Sequence, residues 1–331
     1  MQHRQLGTSD LQLPVVTFGA WAIGGLFWGG SDDTDAVNAI HAAIDHGIDA
    51  IDTAPIYGCG HSETLVGQAI QGRRNSVKIL TKLGLRWDNT DGEFHFKIAS
   101  PQGDQVVVHK NVTRDSILHE CEQSLRRLNT DVIDLYQIHW PSISAPPEET
   151  MDTLTQLQQQ GKIRQIGVSN YNSDELTASL AAGQIVSNQI KYNLLEREIE
   201  NDPLPYCRNH DLGVIAYSPM AMGLLTGKVT MDRTFADTDV RSWKPWYQSA
   251  NRKRVLEALD KIQPIAAGHN ATLAQLAVAW VLAQPGITTA LVGARNAIQV
   301  AENSKTAAIS LNNEEIQIIR ETFEALGKPL Q

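Results

Sequence analysis

Short apolar runs alternate with longer amphipathic stretches along this chain of 331 residues. The run at residues 132–138 is almost continuously apolar, which is typical of a parallel strand buried on both faces. Residues 36–44 carry apolar side chains at helical spacing, and Gly47 follows as a helix-ending residue. Counted from residue 15, the pattern predicts eight strands, at residues 15–19, 48–52, 77–82, 132–138, 163–169, 185–190, 212–218 and 288–292. Helices are predicted between them, at residues 36–46, 62–72, 113–128, 148–160, 173–182, 203–210 and 272–283.

Strands that alternate with helices predict a parallel sheet with right-handed crossovers, and eight such units favour a closed (β/α)8 TIM barrel. An open dinucleotide-binding sheet would need Gly-x-Gly-x-x-Gly between a strand and a helix. The nearest fragment, Gly-Cys-Gly at residues 58–60, lacks the third glycine. We therefore expect residues 1–331 to form a single α/β barrel domain, with an N-terminal β-hairpin at residues 5–16 and an amphipathic helix after Leu311.

Two connections are too long for ordinary barrel loops, whose usual length is about 2–6 residues. The first, residues 83–112 after the third strand, has two alternating segments around residues 101–103 and is predicted to form a β-hairpin lid. The second, residues 219–248 after the seventh strand, contains two glycines and two tryptophans. Both connections leave from the C-terminal ends of strands, where barrel enzymes have their active sites. Both are therefore candidate walls of a pocket.

Charge and composition exclude several classes of partner. The formal net charge of -9 argues against a nucleic-acid surface, because such surfaces concentrate Lys and Arg. Three widely spaced cysteines, Cys59, Cys121 and Cys207, indicate neither a disulfide framework nor a zinc site. The N-terminus lacks an apolar segment of signal-peptide length, and the most apolar stretch, near residues 273–283, is too short to span a bilayer. We expect a cytoplasmic protein with no metal, and no feature indicates a protein partner.

Titratable side chains stand at three successive strand ends. Asp52 ends the second strand, Lys82 the third and His139 the fourth, while Tyr57 lies five positions beyond Asp52. Taken singly, each has a structural explanation: a turn residue, a solvated lysine, a core histidine or a packed tyrosine. In a barrel, however, these strand ends meet on one face, so the four side chains are predicted to converge.

Together the four side chains suit proton delivery to a carbonyl group. A phenol has an ordinary pKa of about 10 and is a weak acid at pH 7, but a nearby ammonium group lowers that pKa. A carboxylate would hold the lysine charged, and the histidine can bond and orient the carbonyl oxygen. None of the four is a good covalent nucleophile. Reduction of a carbonyl group needs a hydride as well as a proton, and the hydride would have to come from a cofactor.

Several motifs resemble those of the aldo-keto reductases over nearly the whole chain. They are Gly19-Ala20-Trp21, Asp52-Thr53-Ala54-Pro55-Ile56-Tyr57 with Ser62-Glu63, Thr81-Lys82, Leu135-Tyr136-Gln137-Ile138-His139-Trp140-Pro141, Gly161-Lys162-Ile163-Arg164, Ile166-Gly167-Val168-Ser169-Asn170, Tyr217-Ser218-Pro219, Gly223-Leu224-Leu225-Thr226-Gly227 and Gly293-Ala294-Arg295. Their order and spacing together are specific, whereas no single motif would be. The branch that the chain resembles most is the bacterial, potassium-channel-β-like one, which includes general stress and small-aldehyde reductases.

The resemblance implies an NADPH-dependent reductase of aldehydes, with ketones as an extension and methylglyoxal as a plausible small substrate. It makes Tyr57 the general acid, which Lys82 and Asp52 tune, and it makes His139 the group that orients the carbonyl. The pocket for the small-molecule carbonyl substrate would be lined by aromatic and catalytic side chains: Trp21, Tyr57, Trp87, His139 and Trp140.

The resemblance also implies a cofactor site. Ser169, Asn170 and Gln189 would hold the nicotinamide carboxamide, and the ring would stack on Tyr217. The remaining cofactor contacts would come from Gly19, Trp21, Asp52, Ser218, Pro219, Gly223, Leu225, Lys228, Gly293, Arg295, Gln299, Glu302 and Asn303. Arg295 can pair with an adenosine 2′-phosphate, so NADPH is preferred. NADH stays open as the weaker alternative, because Glu302 could instead meet a ribose hydroxyl.

Two other functions are compatible with parts of the sequence. A redox-sensing binding module, similar to channel β subunits, would hold the cofactor tightly and turn over slowly, and the four polar residues do not exclude it. A different barrel enzyme, such as a phosphate-dependent isomerase, gives no account of Asp52, Tyr57, Lys82 and His139 together.

Overall fold

The computed structural model describes residues 1–25, 28, 30–99, 104–237 and 239–331. The strands in this part of the chain are β1 (His3–Gln5), β2 (Gln12–Pro14), β3 (Val16–Gly19), β4 (Ala50–Asp52), β5 (Lys78–Leu83), β6 (Leu85–Arg86), β7 (Glu93–Ala99), β8 (Gln105–Lys110), β9 (Ile133–Ile138), β10 (Ile163–Ser169), β11 (Ser187–Lys191), β12 (Gly213–Tyr217) and β13 (Ile287–Gly293). The α-helices are α1 (Asp33–Asp45), α2 (His61–Ala69), α3 (Arg114–Leu128), α4 (Pro147–Gln159), α5 (Ser173–Ala182), α6 (Leu204–Asn209), α7 (Ser249–Gly268), α8 (Leu273–Leu282), α9 (Ala297–Ser304) and α10 (Asn313–Glu324).

The predicted (β/α)8 barrel is confirmed. Eight parallel strands close on themselves in the order β3, β4, β5, β9, β10, β11, β12 and β13, and β13 pairs with β3. Helices pack around the barrel through an extended apolar layer, in which α8 buries nearly its whole length. The apolar runs read from the sequence are these strands, because a parallel strand between helices and a filled interior has two buried faces.

The N-terminal hairpin of β1 and β2 closes one end of the barrel. Leu6 and Leu13 are fully buried and pack in one cluster with Leu80 and Leu135 of the barrel strands. Gly7, at a φ of 56°, lies against the backbone where β11 and β12 begin, and a β-carbon there would overlap it. The hairpin therefore covers the N-terminal ends of the strands, and the C-terminal ends are left for a site.

The connection after β5 forms the predicted hairpin lid. Strands β7 and β8 pair antiparallel, and β6 joins them to make a three-stranded sheet. The predicted turn at residues 101–103 lies outside the described residues. Val108 is fully buried on the inner face of this sheet, against the loop that follows β4. The lid therefore packs on the barrel mouth.

The connection after β12 contains elements that the sequence pattern did not reveal. Its described residues include short 3-10 segments at Ala221–Thr226, Val240–Trp243 and Pro245–Tyr247. They lead into α7, a helix of 20 residues that the sequence pattern did not predict, because its first turn is polar and Pro264 lies inside it. The side chain of Ser62, near the start of α2, does not cap the helix but donates to the carbonyl oxygen of Ala20.

A helix that crosses a bilayer must be long and predominantly apolar. Within the described ranges, no single helix is both long enough and apolar enough, and α7 and α8 meet the requirement only as a pair bent by 83°.

Candidate active site

A buried ion pair lies at the C-terminal end of β4 and β5. The Nζ atom of Lys82 donates to Oδ1 of Asp52 at 2.6 Å and to the carbonyl oxygen of Thr53 at 2.9 Å. Both side chains are almost completely removed from solvent. Burial lowers the pKa of Lys82, and the charge of Asp52 acts against that shift. The pairing that the sequence predicted is therefore present.

Two glutamines complete the surroundings of the carboxylate. Oδ2 of Asp52 accepts from Nε2 of Gln189 at 2.8 Å and from Nε2 of Gln137 at 3.1 Å. Both amides are buried inside the barrel. The sequence did not indicate a role for Gln137, although a polar side chain in a mainly apolar strand is a signal that another polar group lies opposite. These bonds leave Asp52 fully paired, as a buried carboxylate requires.

Tyr57 lies in the loop that follows β4. Its hydroxyl oxygen is 3.3 Å from Nζ of Lys82, and that ammonium nitrogen lies 5.0 Å from the centre of the tyrosine ring. The loop is fixed by close backbone contact, because a β-carbon on Gly58 would lie 2.2 Å from the carbonyl oxygen of Gly24. The structure therefore brings the predicted acid next to the predicted lysine.

The direction of the Tyr57 pKa shift corrects the sequence prediction. Burial raises the pKa of Tyr57 well above its usual value, and the charge of Asp52 raises it further. The sequence predicts instead that the ammonium group of Lys82 lowers the pKa of Tyr57. The physical reason is that Asp52 neutralises the field of the ammonium group, while the surrounding protein disfavours a phenolate. Tyr57 is consequently a protonated phenol at neutral pH, as a proton donor has to be.

His139 follows β9 and faces Tyr57. The two ring centres are 5.8 Å apart and the rings are nearly perpendicular. Burial, and then the charge of Lys82, hold the pKa of His139 well below its ordinary value. A neutral imidazole carries one N–H donor, which suits a bond to a carbonyl oxygen and does not add a second mobile proton.

The residues predicted to hold the nicotinamide lie together at the ends of β10, β11 and β12. Nδ2 of Asn170 donates to the carbonyl oxygen of His139 and to the hydroxyl of Ser169, both at 3.0 Å. The hydroxyl of Tyr217 donates to Oδ1 of Asn170 at 2.9 Å. The side chain of Gln189 donates to Asp52 rather than to Asn170 or Tyr217, and its main-chain carbonyl oxygen accepts from the hydroxyl of Ser169. An amide, a hydroxyl and an aromatic ring are groups that fit a carboxamide-bearing ring.

Arg295 lies in an arginine cluster at the barrel mouth. Its Nη2 donates to the carbonyl oxygen of Trp28 at 2.8 Å, and its guanidinium lies 5.6 Å from the centre of the indole ring. Arg241 approaches the same ring at 5.0 Å and is paired with Asp239. Burial and the charge of Arg241 lower the pKa of Arg295. The sequence did not predict Trp28 or Arg241, because long loops bring them here from distant positions.

The remaining residues predicted to contact the cofactor end the barrel strands or follow them: Gly19, Trp21, Ser218, Pro219, Gly223, Leu225, Lys228, Gly293, Gln299, Glu302 and Asn303. Gly19 and Gly293 are register partners at the ends of β3 and β13. Lys228 pairs with Glu302 at 3.3 Å, which links the connection after β12 to α9. Leu225 is fully buried, and its N–H donates to the carbonyl oxygen of Met220.

The aromatic residues predicted to line a substrate pocket surround Tyr57. The ring of Trp21 is 6.3 Å from that of Tyr57, centre to centre. Trp87 and Trp140, together with Tyr57, pack on a small apolar cluster formed by Ala54, Ile56, Leu85 and Val108. The lid and the loop after β4 thus share one apolar wall beside the phenol.

The chain is similar to known proteins of one family. The model of the aldo/keto reductase family matches residues 15–324. The NADH-specific methylglyoxal reductase of Escherichia coli (strain K12) is 38% identical over 99% of this chain and 100% of its own. The solved structure of the glycerol dehydrogenase AKR11B4 from Gluconobacter oxydans has a TM-score of 0.88 and 38% identity, and it covers 99% of this chain and 97% of its own.

The chain therefore belongs to the aldo/keto reductase family. It is an oxidoreductase that acts on carbonyl or alcohol groups, and the family uses nicotinamide cofactors. A probable voltage-gated potassium channel subunit beta from Arabidopsis thaliana is 31% identical over 93% of this chain and 92% of its own. The predicted similarity to the potassium-channel-β-like branch is thereby confirmed.

Proposed function

We propose that this protein, acting as a single domain of residues 1–331, is an NADPH-dependent reductase of small aldehydes and, more slowly, of ketones. The observation that carries the proposal is one phenol, Tyr57, placed between a buried ammonium group and a neutral imidazole. Methylglyoxal is a reasonable substrate, since the Escherichia coli relative is named for its reduction.

The protein's own side chains account for the proton side of this reaction. Tyr57 gives its hydroxyl proton to the carbonyl oxygen, which His139 holds through its N–H. As negative charge develops on the phenolic oxygen, the ammonium group of Lys82 at 3.3 Å stabilises it. Asp52 keeps Lys82 charged and in position. When bound, a reduced nicotinamide supplies the hydride, and the set of Ser169, Asn170 and Tyr217 fits its carboxamide and ring.

The preference for NADPH rests on the positive charge around Arg295. Arg241 lies close enough to lower the pKa of Arg295, and such clustering of guanidinium groups favours an added phosphate. The name of the Escherichia coli relative, which is NADH-specific, points the other way for that protein. NADH is therefore the cofactor against which the preference has to be measured.

A steady-state assay tests the function directly. Oxidation of NADPH and of NADH is followed by the absorbance of the reduced cofactor, with methylglyoxal, 4-nitrobenzaldehyde and simple sugars as substrates. We expect turnover of the aldehydes, with kcat/KM higher for NADPH. Negligible turnover over the whole panel, with cofactor that co-purifies, would contradict the proposal and favour a redox-sensing binding module.

A further inference from the structure

The lid hairpin carries a histidine that faces the catalytic end of the barrel. The ring of His95, on β7, lies 5.5 Å from that of Trp140 and 5.1 Å from that of Phe96, measured between centres. Protonation of His95 would further lower the pKa of His139. His95 is half-buried, whereas its neighbour Phe94 is 60% exposed on the outer side of the hairpin.

A β-bulge directs His95 inward. Phe94 is the register partner of His109, and Phe96 is the partner of Val108, so His95 is an extra residue on β7. In a regular strand the side chains of adjacent residues point to opposite faces, but a bulge places an additional side chain against the partner strand. His95 and Phe96 can therefore both lie on the face of Val108, which packs on the barrel mouth.

The lid is fastened to the loop that follows His139. Nζ of Lys110 donates to the carbonyl oxygen of Pro141 at 2.8 Å. Oε2 of Glu93 accepts from the hydroxyl of Ser142 at 2.7 Å and from the N–H of Ile143 at 2.8 Å. Glu93 and Lys110 are register partners at the base of the hairpin, so both strands hold this loop two residues from His95. His95 therefore has a fixed position relative to His139 and Trp140.

We propose that His95 is a specificity residue that hydrogen-bonds a second oxygen of the substrate, a hydroxyl or a carbonyl carried next to the reacting carbonyl group. This inference rests on the proposed function. The rings of Trp140 and Phe96 give His95 apolar neighbours, so its imidazole is a polar group on an otherwise aromatic wall and can recognise a polar substituent. Burial and the charge of Lys110 lower the pKa of His95, so the ring is neutral at pH 7 and has one donor and one acceptor. Preferred substrates are then α-hydroxy and α-oxo aldehydes.

Three aldehydes with the same carbon skeleton test this assignment: propanal, 2-hydroxypropanal and 2-oxopropanal. His95→Phe keeps an aromatic ring at the bulge and removes both nitrogen atoms, and His95→Gln restores a donor and an acceptor. His109→Phe is the matched control, because this histidine lies on the same hairpin and contacts the exposed Phe94. kcat/KM is measured for each variant and each aldehyde, so that the hydration of an aldehyde cancels in the comparison.

We expect His95→Phe to lower kcat/KM for the two oxygenated aldehydes about five- to tenfold, the loss expected for one hydrogen bond between neutral groups. Propanal should change less than twofold, His95→Gln should recover part of the loss, and His109→Phe should match the wild type. Equal losses for all three aldehydes, or no loss for any, would overturn the role of His95 while the wild type still reduces them. A wild type that reduces none of the three contradicts the proposed function itself, and with it this role.

Discussion

The Nζ atom of Lys82 lies 2.6 Å from a carboxylate oxygen of Asp52, and neither side chain is accessible to solvent. A buried ion pair of this kind is costly to form, because both charges leave water. It persists here because Asp52 also accepts from Gln137 and Gln189. The pair holds an ammonium group 3.3 Å from the hydroxyl oxygen of Tyr57.

Replacement of Asp52 by Asn should destabilise the protein strongly. The substitution keeps the shape of the side chain but leaves Lys82 buried without its counter-charge. We expect the free energy of unfolding, measured with urea, to fall by about 3–5 kcal/mol. Asp45→Asn is the control, since Asp45 forms an exposed pair with Arg73 and should cost less than about 1 kcal/mol. Equal losses in the two variants would contradict the account of the buried pair.

Replacement of His139 by Gln should reduce the rate and spare the cofactor. Loss of the oriented N–H donor is expected to lower kcat/KM about 100-fold, the lower end for a donor to a reacting oxygen. Cofactor affinity should stay within about twofold, because Asn170 bonds the main-chain carbonyl oxygen of His139, which every substitution retains. Fluorescence titration with NADPH checks the second statement, and abolished binding would show that His139 is misplaced in this account.

Glu120, which takes no part in the proposed reaction, makes the stability of the protein depend on pH. Burial raises its pKa to about 8, although the hydrogen bond from the N–H of Gly84 and the charge of Arg86 act against that shift. Since the folded-state pKa exceeds the ordinary value of 4.5, stability is complete below pH 4.5 and is lost as the pH rises towards 8. The slope across that window is at most about 1.4 kcal/mol per pH unit.

Glu120→Gln removes that titration and keeps an acceptor for Gly84. From pH 5 to pH 9 the wild type should lose unfolding free energy through the titration of Glu120, and the variant should not. The variant should therefore become more stable relative to the wild type as the pH rises. Glu122→Gln, two residues along the same helix, serves as the control. A pH-independent difference for Glu120→Gln would show that its carboxyl group does not titrate in this window.

Arg295→Gln tests the choice of cofactor. If Arg295 meets a 2′-phosphate, its loss should raise the KM for NADPH at least about tenfold, the value of a hydrogen bond to a charged group. The KM for NADH should change little. Lys305→Gln, at an exposed position just after α9, should leave both constants unchanged. Equal increases for the two cofactors would instead mean that Arg295 acts by holding Trp28.

The sequence predicted those parts of the site that lie on strand ends. Asp52, Lys82 and His139 follow apolar runs whose order fixes their positions in a barrel, and the structure brings them together around Tyr57. The sequence pattern did not predict residues whose position depends on contacts between distant loops. The bulge at His95 is one case. One extra residue in a strand changes the face of the sheet to which a side chain points, and the amino-acid composition of the strand does not reveal it.

Trp28 is another such case. Arg241 and Arg295 approach its ring from the connections after β12 and β13, which are separated from it by more than half of the chain. The predicted direction of the Tyr57 pKa shift was wrong for a related reason. The actual direction depends on burial and on how far Asp52 cancels the charge of Lys82. Such a balance follows from burial and distances, and neither can be read from the order of residues.

Turnover by Tyr57→Phe tests the central claim most directly. The substitution removes only the phenolic oxygen, so the ring still packs beside Trp21 and Lys82 keeps its bond to Asp52. We predict that kcat/KM for aldehyde reduction with NADPH falls by about 100- to 10,000-fold, the contribution of a general acid. The dissociation constant for NADPH, measured on the same preparation, should change less than about twofold. A variant that binds NADPH and retains full turnover would show that Tyr57 is not the proton donor.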